Sequence, residues 1–461
     1  MDTRAGEGRA RGAAAASGGE GRLRSDAVSI FRAAVAAADP HDAVRRHLAW
    51  EDGAVVVTQE DGRATRVPVA PHGKVWVVGA GKGSAPMAAA VEGVLGDRIA
   101  GGLVCVKDGH GLPLERVEVV EASHPVPDAR GVAAGRRILG IVRAAEAGDV
   151  VVSVLSGGGS ALLAAPAEGI GLDHVQEVTR LLLSSGAAIG ELNAVRKHLS
   201  QVKGGYLAAA AHPARVVNLV LSDVIGDRLD VIASGPFSPD PTTFEDAKEV
   251  LVRREVWDRV PEPVRRHLEA GVRGEVPDTP KPGDPRVEGV IHAIVGSNRK
   301  SLEAAASAAR ELGYAPLVLT SRMEGEAREV ARVLAAVACE VREAGNPLAA
   351  PACILAGGET TVTIRGDGKG GRNQELALAL ALALEGWEGV VGLSGGTDGT
   401  DGPGGIATPT TARRGRDQGL DPEAFLRNND SYRYLEAVGD LLVTGPTRTN
   451  VMDVQVLLVA P

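Results

Sequence analysis

One pattern constrains this chain more than any other: a short apolar run, a loop rich in glycine or serine, then a helical stretch, repeated along its length. Val75-Trp-Val-Val78 ends in Gly79, and Val150 to Leu155 precedes Ser156-Gly-Gly-Gly-Ser160. Val216 to Leu221 runs into Ser222-Asp223, and Gly289 to Val295 leads to Gly296-Ser-Asn298 and a helical pattern through Ser301, Leu302, Ala305 and Ala309. Strands alternating with amphipathic helices imply βαβ units and a parallel sheet, hence a Rossmann-like α/β fold. In such sheets ligands bind beyond the carboxyl ends of the strands, where these loops fall. Trp, Tyr and Phe number four each, so the core is built from Val, Leu, Ile and Ala, as in parallel sheets covered by helices. Sixty glycines exceed the needs of ordinary turns, and backbone approaches a ligand closely only where side chains are absent.

A length of 461 residues suggests two or three domains. Residues 1–24 are mostly Gly, Ala, Ser and Arg without an apolar stretch and read as a disordered tail; they lack the core of a secretory signal, and Asp2, Glu7 and Glu20 interrupt the basic character of a transit peptide. Ser25 to about Leu48 is helical, broken at Asp39-Pro40. Prolines crowd the stretch from Arg254 to Val287, around a short helix at Val264 to Glu269, and place a boundary near residue 280. The expected division is an N-terminal α/β domain over 25–280 and a smaller α/β domain over 281–461. In the second, the strict Leu/Ala alternation from Ala377 to Leu384 reads as a helix, since both residues favour it. A net charge of −9 gives no support to a nucleic-acid partner, and no apolar run reaches the ~18 residues of a membrane span. Cys105, Cys339 and Cys353 have no metal-like spacing and read as buried thiols of a reducing compartment, so a cytoplasmic protein is expected.

Gly79-Ala-Gly-Lys-Gly-Ser84 invites two familiar readings that fail on spacing. A Walker A loop needs glycine where Trp76 stands and Ser or Thr where Gly83 stands. The dinucleotide fingerprint needs a sixth-place glycine where Ser84 stands, and Asp108 leaves only a weak case for a ribose-binding acid. What survives is an anion site at a helix N-terminus with Lys82 in the loop, against a merely solvated Lys82. In Ser156-Gly157-Gly158-Gly159-Ser160 the spacing of Ser160 is wrong for a hydrolase nucleophile, and phosphate contact through amides competes with a flexible turn. His124-Pro-Val-Pro-Asp128 is a rigid turn whose Asp128 caps the next helix; His124 either shapes the turn or touches substrate. Asn193, Arg196 and Lys197 share a helix face with Lys203 beyond it, a face for an anionic substrate or for solvent. Asp223 at a strand end suits Mg²⁺ or a hydroxyl proton, or simply caps a loop. In the second half, Gly357-Gly-Glu-Thr-Thr361 leads through a short alternating strand to a mobile loop with glycine at 366, 368, 370 and 371. Arg372 follows at a helix start, placed to reach a phosphoryl group bidentately. Ser394-Gly-Gly-Thr-Asp398-Gly-Thr-Asp401 again sets carboxylates at a strand end, and Gly445-Pro-Thr-Arg-Thr-Asn450 forms a last polar loop.

From about residue 26 to the C-terminus the chain closely resembles the glycerate 2-kinase family, the type II glycerate kinases with a C-terminal MOFRL domain. The resemblance rests on Gly79–Ser84, Ser123–Asp128, Leu155–Ala161, Leu221–Asp227, Gly357–Thr361 and Gly370–Glu375 in this order. It implies a transferase: ATP-dependent phosphorylation of D-glycerate on its 2-hydroxyl, with Mg²⁺, in a cleft between two α/β domains. It implies Lys82 and Arg372 as catalytic groups, with Asp223 as Mg²⁺ ligand or base, and Asp398 as the competing metal ligand. Gly79, Gly81, Gly83, Ser84 and the Ser156–Ser160 loop then hold the nucleotide, and Arg196, Lys203 and His124 hold the substrate. The oligomeric state stays open, a homodimer among the alternatives. Two rival readings are an oxidoreductase acting on hydroxypyruvate, a name attached to some relatives, and a non-catalytic sugar-acid sensor.

Overall fold

A computed structural model describes residues 4–399 and 402–461, with side chains from residue 19 onward. Asp401 and the side chains of residues 1–18 lie outside the described residues. The chain forms two compact units, residues 39–296 and residues up to 38 joined with 297–461.

The first unit is organised around six parallel strands: Val75–Ala80, Ile99–Lys107, Glu118–Ala122, Val150–Leu155, Arg215–Leu221 and Ile291–Gly296. Numbered along the chain, they lie in the order 3-2-1-4-5-6. This is the doubly wound arrangement, which reverses direction between strands one and four and opens a crevice there. The two strands at the switch, Val75–Ala80 and Val150–Leu155, are each followed by a glycine loop. Val150–Leu155 is buried at every position, as a central strand covered on both faces must be. Asp128 caps the helix Ala129–Arg143 by accepting from the Gly131 amide (3.0 Å). Asp39 likewise caps the helix Pro40–His47, so the expected break at Asp39-Pro40 falls between two helices. Leu48–Glu51, Ala54–Thr58 and Ala64–Pro68 add a small antiparallel meander.

The second unit carries a mixed sheet. Its spatial order is Ala315–Met323, Ala352–Gly358, Asp453–Val459, Val390–Gly396, Gly404–Ala407 and Leu441–Leu442. The last long strand inserts antiparallel between Ala352–Gly358 and Val390–Gly396, which brings Gly358, Asp453 and Gly396 side by side. The Leu/Ala alternation forms the helix Arg372–Ala383, buried almost throughout.

Four expectations need correction. The units divide at Gly296/Ser297, not near 280, because Ile291–Gly296 pairs with Arg215–Leu221 and completes the first sheet. Residues 19–24 do not belong to a disordered tail: they continue the helix Arg4–Ala37, with Leu23 buried and Arg24 ion-paired to Asp440. Leu23, Ala27, Ile30, Phe31 and Ala34 recur at helical spacing and pack into the core of the second unit, on the helix Asn298–Glu311 and the strands Val390–Gly396 and Asp453–Val459. No strand forms over 362–365; there the Asn429 side chain accepts from the amides of Arg365 and Gly366 in place of a neighbouring strand. Cys105 and Cys353 are buried as expected, whereas Cys339 is half-buried. Among the described residues, no helix is long and apolar enough to cross a membrane.

Candidate active site

At the switch of the first sheet the two glycine loops pack directly on each other. A Cβ on Gly79 would stand 2.2 Å from the Val154 carbonyl oxygen, and one on Gly81 would stand 2.1 Å from Ser156 Oγ. Gly81 also has φ +143°. Gly79 therefore serves close contact between the two strand ends, and Gly81 contact between the two loops. The amides of the first loop are spent in the same way: Gly81 donates to Cys105 O (3.1 Å), Lys82 to Gly157 O (2.8 Å), Gly83 to Ser156 Oγ (2.8 Å) and Ser84 to Gly81 O (3.2 Å). The expectation that amides of residues 79–84 point outward at an anion is thus wrong. One loop over, the amides of Gly157, Gly158 and Ser160 have no partner among the described residues.

Gly158 has φ +84°, and a Cβ there would meet the His124 ring at 3.0 Å and the Lys82 side chain at 3.5 Å. The bare amides therefore lie among His124, Lys82 and the loop itself. Burial, reinforced by Lys82, brings the His124 pKa down to about 4, so its ring is neutral near pH 7. Ser160 Oγ pairs with Ser234 Oγ (2.9 Å), which donates to Asn193 Oδ1 (3.1 Å). Ala233 and Ser234 take φ +51° and +62°, a costly conformation for residues with a Cβ, and Ala233 is packed where a side chain on Gly159 would stand. The pairing of Ser234 with the glycine loop was not legible in sequence.

The helix face read as an anion site divides three ways. Lys197 is buried against Asp240 (3.1 Å) and Asp230 (3.8 Å), so it is structural, and Asn193 belongs to the serine chain. Arg196, by contrast, makes no hydrogen bond or ion pair with any described residue. Burial holds its pKa below the usual arginine range. Lys203 is almost fully buried and donates to the carbonyls of Ser160 and Leu163 (both 2.8 Å), which ties down the glycine loop. Burial, with Arg196 adding repulsion, brings the Lys203 pKa down to about 7. Arg196, Lys203, His124 and Ser160 all line one cavity of about 450 Å³ within this unit. Asp108 is engaged by Arg130 in a two-pronged pair (2.6 and 2.9 Å), so it is taken up by the protein itself.

In the second unit Arg372 begins its helix as expected, but its two-pronged partner is Asp453: Nε to Oδ2 2.6 Å and Nη2 to Oδ1 3.0 Å. Glu359 lies 3.2 Å from Nη1. Asn373 Nδ2 also donates to Asp453 Oδ1 (2.9 Å). Asp453 has no exposed side-chain surface; burial pushes its carboxyl pKa up, and Arg372 pulls it back. Gly396 beside it leaves the room that Asn373, Asp453 and Asp398 share. Asp453 was missed in sequence, where its signal was an acid directly before the final apolar run. The glycine loop before Arg372 is not free either. Gly366 and Gly368 donate to Asn429 Oδ1 (3.1 Å) and Asn428 O (3.0 Å), and Lys369 N donates to Asp430 Oδ1 (2.8 Å). Its glycines admit the turn at 428–431, which a side chain would displace.

Asp223 stands half-buried two residues past the end of its strand, and Asp398 is buried near Asp453. Among the described residues the one close group of three metal-ligating side chains is Asp39, His41 and Asp42 at a helix start, where Asp39 serves as the cap. Mg²⁺ typically takes one or two carboxylates and completes its octahedron with water and phosphate oxygens. A single oxygen donor such as Asp223 or Asp398 fits that requirement.

The molecule is therefore a two-unit α/β protein whose doubly wound sheet gathers bare amides and cations at strand ends. Residues 26–269 match a family model described as a domain of unknown function (DUF4147), and residues 352–453 match the MOFRL family. The glycerate 2-kinase of Pyrococcus horikoshii is 41% identical over 95% of this chain and 97% of its own. A protein of Agrobacterium vitis named "Putative hydroxypyruvate reductase" is 45% identical over 93% of both chains. The crystal structure of glycerate kinase from Thermotoga maritima superposes with a TM-score of 0.83 at 42% identity, covering 95% of this chain and 99% of that one. The chain belongs to the glycerate kinase family that joins these two domains.

Proposed function

We propose that this chain is a glycerate 2-kinase, transferring the γ-phosphoryl group of ATP to the 2-hydroxyl of D-glycerate to give 2-phosphoglycerate and ADP. The observation that carries the reading is the pair of unpartnered amides at Gly157 and Gly158 beside Lys82, in a chain of this family. Phosphoryl transfer asks for positioning and charge stabilisation, little else. In this proposal the Ser156–Ser160 loop and Lys82 receive phosphate oxygens, with residues 79–84 as the frame that shapes the loop. Arg196 takes the substrate carboxylate, and Lys203 holds the loop through its two carbonyls. Arg372, aligned by Asp453, supplies the second cation. The 2-hydroxyl oxygen bonds to the γ-phosphorus as the bond to the β–γ bridging oxygen breaks, and Asp223 takes the hydroxyl proton or serves as metal ligand. Mg²⁺, held by Asp223 or Asp398, would neutralise phosphate charge.

The reductase reading suggested by the Agrobacterium relative's name meets two obstacles. Ser84 replaces the third glycine of the dinucleotide loop, and Asp108 is occupied by Arg130. Phosphorus NMR of a mixture with D-glycerate, ATP and Mg²⁺ is expected to show 2-phosphoglycerate. A 3-phosphoglycerate signal, no product, or oxidation of NADH or NADPH with hydroxypyruvate would overturn the proposal.

A further inference from the structure

We infer that the cavity beside the Ser156–Ser160 loop binds 2-hydroxy monocarboxylates with an apolar substituent, so that the acceptor site accommodates a wider class of acids than glycerate. This rests on the assignment of Arg196 to the substrate carboxylate.

Charge sets the head group. Arg196 is the lining cation without a partner among the described residues, while Arg180 is paired with Glu177, Lys203 is committed to two carbonyls and His124 is neutral. One uncompensated guanidinium matches one carboxylate, and a planar fork suits it. A triphosphate would ask for several more cations.

Shape sets the body. The cavity, about 450 Å³, lies in the range of roughly 300–1,000 Å³ that encloses drug-sized ligands and far exceeds what a three-carbon acid occupies. Leu172, Val175 and Leu183 line it from the helix Leu172–Ser184, and Val126 and Pro127 from the neighbouring turn. Gln176 joins helix and turn by donating to Pro127 O (2.8 Å), so these side chains form one apolar wall. Leu183 and Val126 remain 59% and 57% exposed, an expense in water that a bound alkyl group would relieve. Glycerate, with hydroxyls on carbons two and three, has no alkyl group to place there.

The test is equilibrium calorimetry on the full chain with D-lactate, D-2-hydroxybutyrate, D-2-hydroxyvalerate and D-2-hydroxyisocaproate. Kd is expected to fall about fourfold for each methylene that becomes buried, and D-glycerate, not ATP, is expected to displace the bound acid. Arg196→Gln should weaken the whole series alike, and Val175→Ser should flatten its dependence on chain length. A flat or rising Kd in the wild-type chain overturns the inference even if neither variant folds. Displacement by ATP alone also overturns it, because the cavity would then be a nucleotide site. No turnover enters these measurements. A kinase reading that fails by phosphorus NMR therefore leaves the chain-length series intact, and a flat series leaves the kinase reading intact.

Discussion

Arg196 and Arg372 each begin as an arginine on a helix near the carboxyl ends of strands, and the two units treat them in opposite ways. In the doubly wound unit, Arg196 lines a cavity with no carboxylate from the described residues against it. In the mixed-sheet unit, Arg372 is clasped by Asp453 and approached by Glu359. A half-buried guanidinium left without a partner carries a desolvation cost that an incoming anion offsets. One already paired contributes its geometry more than its net charge. The first is therefore suited to capture, and the second to alignment.

The largest expected effect separates the two directly. Arg372→Gln leaves Asp453 buried without its ion partner, and breaking such a pair costs about 3–5 kcal/mol; Arg196→Gln removes no pair and should leave stability nearly unchanged. Urea midpoints of the two variants measure this, and equal shifts would erase the distinction. Turnover with D-glycerate should collapse in Arg372→Gln as well. Next in size, Lys82→Ala should lower turnover by roughly 10²–10³-fold, the scale for losing one preorganised charge-stabilising group, with the circular dichroism of the wild type retained. Near-normal rates in that variant would remove Lys82 from the site. The smallest effect is a slope. The Lys203 pKa is about 7 in the folded chain against 10.5 for the free side chain. Between these values the unfolded chain binds the extra proton, so stability should rise with pH relative to Lys203→Met, by up to about 1.4 kcal/mol per pH unit. Below pH 7 the two should run in parallel, and a falling difference above pH 7 would contradict the lowered pKa of the buried Lys203 amine.

Much of the framework was readable along the chain because its causes are local. Val150–Leu155 was bounded correctly since a continuous β-branched run between turns suits a central strand. Asp128 was recognisable as a cap because its partner amide lies three residues on. The helix from Arg372 followed from Leu and Ala propensity despite a pattern that alternates like a strand. Other features depended on distant partners. Leu23 and Arg24 looked like tail because the surfaces they meet are contributed by residues hundreds of positions later. Asp453 lies in the last strand, and only the insertion of that strand between Ala352–Gly358 and Val390–Gly396 brings it to Arg372.

The order of strands, loops and helices, the α/β class and the set of residues able to meet an anion all belong to the sequence, since spacing and side-chain chemistry decide them. Which members of that set remain uncommitted was settled only by the tertiary arrangement. The amides of residues 81–84 and the ammonium of Lys197 turned inward to protein partners, whereas Gly157, Gly158 and Arg196 did not. The reason is physical: each buried donor must find an acceptor, and whether a neighbouring loop or a ligand provides it depends on what the fold brings within about 3 Å.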